Sequence, residues 1–254
     1  MSISKERNLV IEKRKERGAD FSGSKVDSFL AVASRFDECR FEKMTIGDAC
    51  FGGGVSDSEY YDCSFDGSKF SATAPGCARF VRCSFRNILI REFFGDKVEF
   101  VDCIFSGKLL KGYFNGTISE NVSGCSGRRV NEFRGNDFSE MELIDVGFRT
   151  GIDLACQRLP SGPNYLYLPE AEEVVKEARH QVIEWKNLEL RREAMLVIQV
   201  IELALEGRQK QLFLQTKDLM PKKSREAAEK VFSLLRQVGE ARSKSGANRE
   251  QRDQ

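Results

Sequence analysis

One interval constrains this chain more than any other feature. Tyr60, Phe80 and Phe100 lie 20 residues apart, and so do Phe65, Phe85 and Phe105, and Cys63, Cys83 and Cys103. Phe94 and Phe114 keep the same interval, as do Phe93 and Tyr113. Inside each unit runs a period of five, seen in Phe80, Phe85, Ile90 and upstream in Phe21, Val26, Ala31, Phe36, Phe41, Ile46, Phe51. Small residues often stand two places before the large ones, as at Ala19, Ser34, Cys39 and Ala49. Neither the 3.6-residue period of an amphipathic helix nor the alternation of a plain strand fits this pattern. It requires a backbone that turns a corner every five residues, with positions i and i−2 pointing inward. Four corners close a coil of 20. Coils of this kind bury their side chains only against their neighbours. Stacked about 4.8 Å apart, six of them make a rod roughly 25–30 Å long.

The three-residue stretches Ala19-Asp20-Phe21, Asn136-Asp137-Phe138 and Ile152-Asp153-Leu154 carry a further signature. A cysteine form of it occurs at Cys39-Arg40-Phe41, Cys63-Ser64-Phe65, Cys83-Ser84-Phe85 and Cys103-Ile104-Phe105. In these stretches, over residues 19–156, the chain resembles the pentapeptide-repeat proteins. That resemblance implies a right-handed quadrilateral β-helix over residues 19–158, with Phe21, Cys39, Phe41, Cys63, Phe65, Cys83, Phe85, Cys103, Phe105, Phe138 and Phe148 as its structural core.

The register fails in three places. Phe36 to Tyr60 is 24 residues, which puts an insertion at Gly52-Gly53-Gly54-Val55 and predicts a protruding corner loop. On the fourth face, strict fives would place Pro75, Gly95 and Asn115 inside, and the neighbouring aromatics imply a bulged face. Between residues 119 and 132 the pattern disappears, and Phe100 to Phe133 is 33, so an irregular coil or loop is expected near Arg128-Arg129.

Residues 1–18 read as a short basic helix, with Ser4 as N-cap and Gly18 as stop, lying as a lid over the first coil. After Leu159-Pro160-Ser161-Gly162-Pro163 the period becomes helical. Val174, Ala178, Val182, Trp185 and Leu188 form one apolar stripe, and Ala194, Val197, Ile201, Ala204 and Leu205 a second after a bend near Asn187. A third helix is expected after Pro221, and Leu212-Phe213-Leu214 should pack between. Residues 159–242 thus read as an α-helical region, a cap or dimerisation element, and residues 243–254 as a disordered tail.

Charge narrows the functional classes. Lys and Arg number 40 against 39 Asp and Glu, so no global field draws the chain to nucleic acid or an anionic membrane. Residues 20–158 hold 17 basic and 21 acidic side chains, net −4. No apolar run approaches the roughly 20 residues of a membrane span, and the N-terminus lacks a secretory signal. The eight cysteines therefore read as free thiols in a reducing cytoplasm. Cys63, Cys83 and Cys103, stacked at the small inward position, are expected to behave as small apolar residues rather than converge on zinc. The lone His180 falls on a polar helix face, and no phosphate-binding loop, dinucleotide fingerprint or zinc-hydrolase motif occurs. No catalytic residue, cofactor or metal is expected.

These observations predict a cytoplasmic, bacterial, non-enzymatic scaffold that presents a rigid rod to a protein partner, with immunity or regulation as its setting by analogy alone. Direct nucleic-acid and membrane binding are not expected. A homodimer through the C-terminal helices is a candidate assembly. The expected contact positions lie where the register fails: Gly53, Gly54 and Tyr60, then Phe93 and Phe94, then Arg128 and Arg129. Two alternatives compete. Some pentapeptide-repeat proteins resemble DNA and bind type II topoisomerases, but Arg82 interrupts the Asp62–Asp102 ladder here. The helical region could instead be an effector carried on the rod.

Overall fold

The computed structural model describes residues 7–119, 127–219 and 225–250. Two compact units divide at Pro160/Ser161. The first is a parallel β-solenoid and the second is mainly helical.

In the solenoid, each coil lays its strands beside those of the next, forming a nine-stranded and a six-stranded parallel sheet. Phe36, Tyr60, Phe80, Phe100 and Phe133 pair in sequence along the six-stranded wall. The five-residue period has a visible cause in the backbone. Lys13, Gly18 and Gly23 have positive φ, then Ala33, Glu38 and Lys43, then Asp62 and Gly67, Arg82 and Asn87, Asp102 and Gly107. A left-handed residue turns the chain at the same corners of successive coils. For a non-glycine residue this costs about 1–2 kcal/mol, so ladder pairing must outweigh it at each corner.

Inside, the aromatic rings form two ladders. Phe21, Phe41, Phe65, Phe85, Phe105 and Phe138 stack nearly parallel, with successive centroids 4.8, 4.9, 4.7, 4.9 and 4.4 Å apart. Phe36, Tyr60, Phe80 and Phe100 make the second ladder at 4.8, 4.6 and 5.0 Å. Offset stacking of this kind adds to simple burial. Every position assigned to the core is buried except Phe21, which is half-buried at the end of its ladder. One internal cavity, of about 20 Å³, is lined by rings including Phe85, Phe93 and Phe105, room for little more than one water.

The small column beside these ladders is a hydrogen-bonded spine. The thiols of Cys63, Cys83 and Cys103 donate to the carbonyls of Phe36, Tyr60 and Phe80, one coil back, at 3.4–3.5 Å. Asn136 continues the column, donating to Phe100 O at 2.8 Å, and Gln157 donates to Phe133 O at 2.9 Å. Hydrogen bonding within the column, then burial, push the Cys63 thiol up, and burial pushes Cys83 well up. Among the described residues no group of three or more His, Cys, Asp or Glu is placed to hold a metal.

Charge alternates between coils. Residues 45–68 carry five acidic and no basic side chains, while residues 69–88 carry four basic and no acidic ones. Across that boundary Arg82 grips Asp62 through two bonds of 2.8 and 2.6 Å, and Asp66 accepts from the Arg86 backbone at 2.7 Å. Opposite charges on facing strands favour this register over a slipped one.

Three expectations require correction. Residues 8–17 are not helical: Asn8–Glu12 and Lys15–Arg17 are strands paired with Ser28–Val32 and Arg35–Asp37. The solenoid therefore starts a coil earlier than residue 19. Its first coil is hard to recognise because Glu16 stands where the next coil has Phe36. A Lys- and Arg-rich run suits helix by propensity, yet it also suits an open sheet edge, and pairing wins. Ser4 lies outside the described residues. The second correction concerns the cysteines, since Cys77 is disulfide-bonded, whereas Cys39, Cys50, Cys63, Cys83, Cys103 and Cys156 are free. Third, the tail expected to be disordered from residue 243 is helical to Glu250.

The second unit has helices α1 (Ala171–Ile183), α2 (Leu188–Ala204) and α3 (Arg225–Glu250). A two-stranded antiparallel sheet of Tyr165–Leu168 and Leu212–Gln215 packs with them. The bend near Asn187 is a cap: its side chain accepts from Leu190 N at 3.1 Å. Ala178, Val182, Ala194, Val197, Ile201, Val231 and Leu235 share one core. Leu188, assigned to the first stripe, is exposed instead, because the helix breaks before it. Among the described residues no helix is long and apolar enough to cross a membrane.

Candidate functional site

The three failures of register, far apart in sequence, meet on one side of the solenoid. At the first, Gly52 pairs with Gly76 of the next coil. A Cβ on Gly52 would run into the Cys77 carbonyl, so only glycine permits the approach. The corner that follows, Gly54–Ser56, is exposed, and Val55 is 61% accessible. Its root is not loose, because Ser58 N bonds Cys77 O at 2.9 Å and Asp57 lies 3.4 Å from Arg128.

On the fourth face the bulge takes a definite form. Phe105 pairs with Phe85 at an interval of 20, but Gly107 pairs with Ile88 at 19. The chain beyond is shifted by one, so Phe94 faces Tyr113 and Phe93 faces Gly112. Phe93 points inward, buried, with its ring 4.8 Å from that of Phe114. Phe94 and Tyr113 point outward, half-buried, 5.9 Å apart, and the Arg149 guanidinium lies 4.8 Å over the Tyr113 ring. The one-residue slip thus moves these side chains between faces, as the two-residue strand period demands.

Asp96 joins this strip to the third failure. Its carboxylate accepts from Tyr113 OH at 3.0 Å and Asn115 Nδ2 at 2.9 Å, and its carbonyl accepts from Asn131 Nδ2 at 2.9 Å. Arg128 then reaches from residues 127–132 to the Lys97 carbonyl, to Asp57 and to Glu99, 2.6 Å away. Glu99 is nearly enclosed, its side chain 6% exposed, and Arg79 meets it from another side at 2.6 Å. Arg79 also holds Glu132 at 2.6 Å, and Glu132 N donates to Glu99 at 2.9 Å. Two guanidinium groups on one enclosed carboxylate offset the cost of burying it.

The electrostatics agree with a clamp. The Arg79 hydrogen bond holds the Glu132 carboxyl below its ordinary value, against burial. Burial pushes the Asp57 carboxyl up, and Arg128 only partly opposes it. Asp57 is therefore the weak link of the group. Its chemistry is mutual neutralisation of fixed charges.

Of the expected contact residues, Gly54 and Arg129 are exposed and Gly53, Phe94 and Arg128 are half-buried on this side. Two are not contact residues at all. Tyr60 is fully buried, its hydroxyl donating to Phe51 O at 2.9 Å, and Phe93 is core. Arg128 belongs to the clamp rather than to a free loop. Sequence reasoning missed Asp57, Arg79, Asp96, Glu99, Tyr113, Asn131 and Glu132. The one signal available was that Arg79 and Glu99, of opposite charge, stand 20 apart. The expected ladder at Asp62, Arg82 and Asp102 is present as an Arg82–Asp62 pair, with Asp102 3.6 Å from Arg134. His180 is exposed.

The chain matches no family model, and no curated protein matches it significantly.

Proposed function

We propose that this chain is a non-enzymatic protein-binding scaffold of the pentapeptide-repeat type, and that its binding face is the side where the register fails. One observation carries this reading: two segments that meet at the Arg128–Asp57 contact each display an exposed valine, Val55 at 61% and Val130 at 63%. Tyr113, which pairs with Phe94 and Arg149, is tied through Asp96 to Asn131, the neighbour of Val130 in the chain. Aromatic residues and arginine dominate the energetic centres of protein interfaces, and a clamped backbone lowers the ordering cost of binding.

The regular walls support this assignment over DNA mimicry. There Arg35–Glu59, Arg82–Asp62, Lys108–Glu142 and Arg158–Asp137 pair across coils at 2.6–3.2 Å. A surface so neutralised lacks the continuous negative field of a phosphate backbone.

A photo-crosslinking amino acid placed at Val55 or Val130, and as controls at Lys25 or Lys108, tests the reading in the native host. The proposal expects one shared protein adduct at 55 and 130 and none at the controls. Equal labelling at all four positions would remove the binding face. Inhibition of a type II topoisomerase by the purified protein, with crosslinks from the walls, would replace the scaffold reading with mimicry.

A further inference from the structure

The solenoid pairs its first coil on one side only. The strand Asn8–Glu12 lies against Ser28–Val32, and Lys15–Arg17 against Arg35–Asp37. Asp27 N donates to Arg7 O at 2.9 Å and Arg35 N donates to Arg14 O at 2.8 Å, and successive residues of a strand turn their peptide groups to opposite edges. The peptide groups of Asn8, Val10, Glu12, Lys15 and Arg17 therefore face the open side, and no partner for them lies among the described residues. Beneath this edge Leu9, Phe21 and Val26 are only half-buried. Open peptide groups beside uncovered apolar side chains are a template for one more strand.

The charges on the edge select the strand. Down the six-stranded wall Arg35 faces Glu59, Glu59 faces Arg79 and Arg79 faces Glu99, so the sign alternates from coil to coil. Contacts of 3.2 Å for Arg35–Glu59 and 2.6 Å for Arg79–Glu99 tie the column together. At the edge the alternation breaks, because Lys15 faces Arg35. Lys15 is exposed and forms no ion pair among the described residues, and residues 7–18 hold five basic side chains against two acidic ones. An acidic residue on the open side restores the order. Like charges directly opposite repel, so the edge rejects a second copy of itself, whose first coil is equally basic. Nucleic acid shares the negative charge but not the pattern: phosphates only accept hydrogen bonds, whereas this edge offers both N–H and C=O groups.

We infer that the open edge from Asn8 to Arg17 is a docking site for an acidic, extended segment of a partner protein, which adds a strand to the solenoid with a carboxylate opposite Lys15. Main-chain bonds to the open positions supply the affinity, and the charge at Lys15 supplies the selectivity. The site shares no residue with the face around Val55 and Val130.

A short fluorescent peptide alternating valine and glutamate, its valine–lysine counterpart and a single-stranded DNA of equal negative charge test this on the full chain. The glutamate peptide is expected to bind and, in hydrogen exchange, to protect the amides of Asn8, Val10, Glu12, Lys15 and Arg17. Lys15→Glu should weaken its binding about tenfold or more and shift the preference to the lysine peptide, an exchange that damage to the coil would not produce. Val10→Pro removes an outward N–H without changing any charge, a substitution that an edge strand tolerates, and should abolish binding. Should Val10→Pro disturb folding, the exchange pattern of the wild type decides alone. No binding of the glutamate peptide, binding without protection of those amides, equal binding of the two peptides, or the same protection from the DNA would overturn the inference.

Discussion

The regular walls and the irregular side of this solenoid are built from the same strands but held by different forces. Along the walls, stability comes from repetition: stacked rings 4.4–5.0 Å apart, thiols bonded one coil back, and charges paired at the surface. On the irregular side the ladders are interrupted: Phe93 meets Phe114 tilted at 4.8 Å, and Phe114 stacks on Phe148 at 5.3 Å, but no ring column runs through all the coils. The step from Phe100 to Phe133 abandons stacking, the rings standing edge-on at 6.2 Å. There the chain is held by a few specific polar contacts centred on Glu99, Arg128 and Asp96. Repetition makes a wall insensitive to which outward residues it carries, while a clamp depends on each member.

That contrast can be broken most forcefully inside the ladder. Phe65 stacks against Phe41 at 4.9 Å and Phe85 at 4.7 Å, so Phe65→Ala should cost about 3–5 kcal/mol, read by urea unfolding. Arg128→Ala comes next, at about 2–3 kcal/mol, short of the full cost of orphaning a buried charge because Arg79 still meets Glu99. Gly52→Ala, which drives a Cβ into the Cys77 carbonyl, should cost about 1–3 kcal/mol. The smallest effect belongs to the wall surface, where Arg82→Ala, which removes one exposed pair with Asp62, should lower the unfolding midpoint least of the four.

Much of the fold was legible because burial and periodicity are linked. Phe80, Phe85 and Ile90 could recur at five only if the backbone turned at five, and the left-handed corners at Arg82 and Asn87 are that turn. The first coil was not legible, because an end coil faces solvent and needs no phenylalanine where Glu16 stands. The candidate face was legible only as a set of absences. Failure of register pointed to the segments that meet around Arg128 and Glu99, but not to which side chains face out: Phe93 keeps its 20-residue pairing with Thr73 and is buried, whereas the slip between Phe105 and Gly107 leaves Tyr113, 20 residues further on, half-buried on the outer face. Glu99 and Arg128 are 29 positions apart in an irregular stretch, so no period could pair them.

Acid separates the two regions by sign. Arg35 hydrogen bonds hold Asp37 below its ordinary value, Arg82 does the same for Asp62 and Arg79 for Glu132. Each contributes stability present above the unfolded carboxylate range near pH 4 and lost as pH falls through the lowered folded value. Asp57, raised by burial, runs the other way: its penalty is relieved as pH falls through its raised value. Thermal melts should therefore show Asp57→Asn stabilising relative to wild type at pH 7 and converging with it in acid. Asp62→Asn should be the less stable of the two at pH 7 and lose its difference from wild type below pH 4.

Hydrogen exchange on wild type and Arg128→Ala tests most directly whether the three failures of register form one unit. Faster exchange is predicted together at 54–58, 96–99, 112–116 and 128–132, with the strands around Phe65 and Phe85 unchanged. Faster exchange confined to 128–132 would contradict the account, because the clamp would then hold nothing but itself.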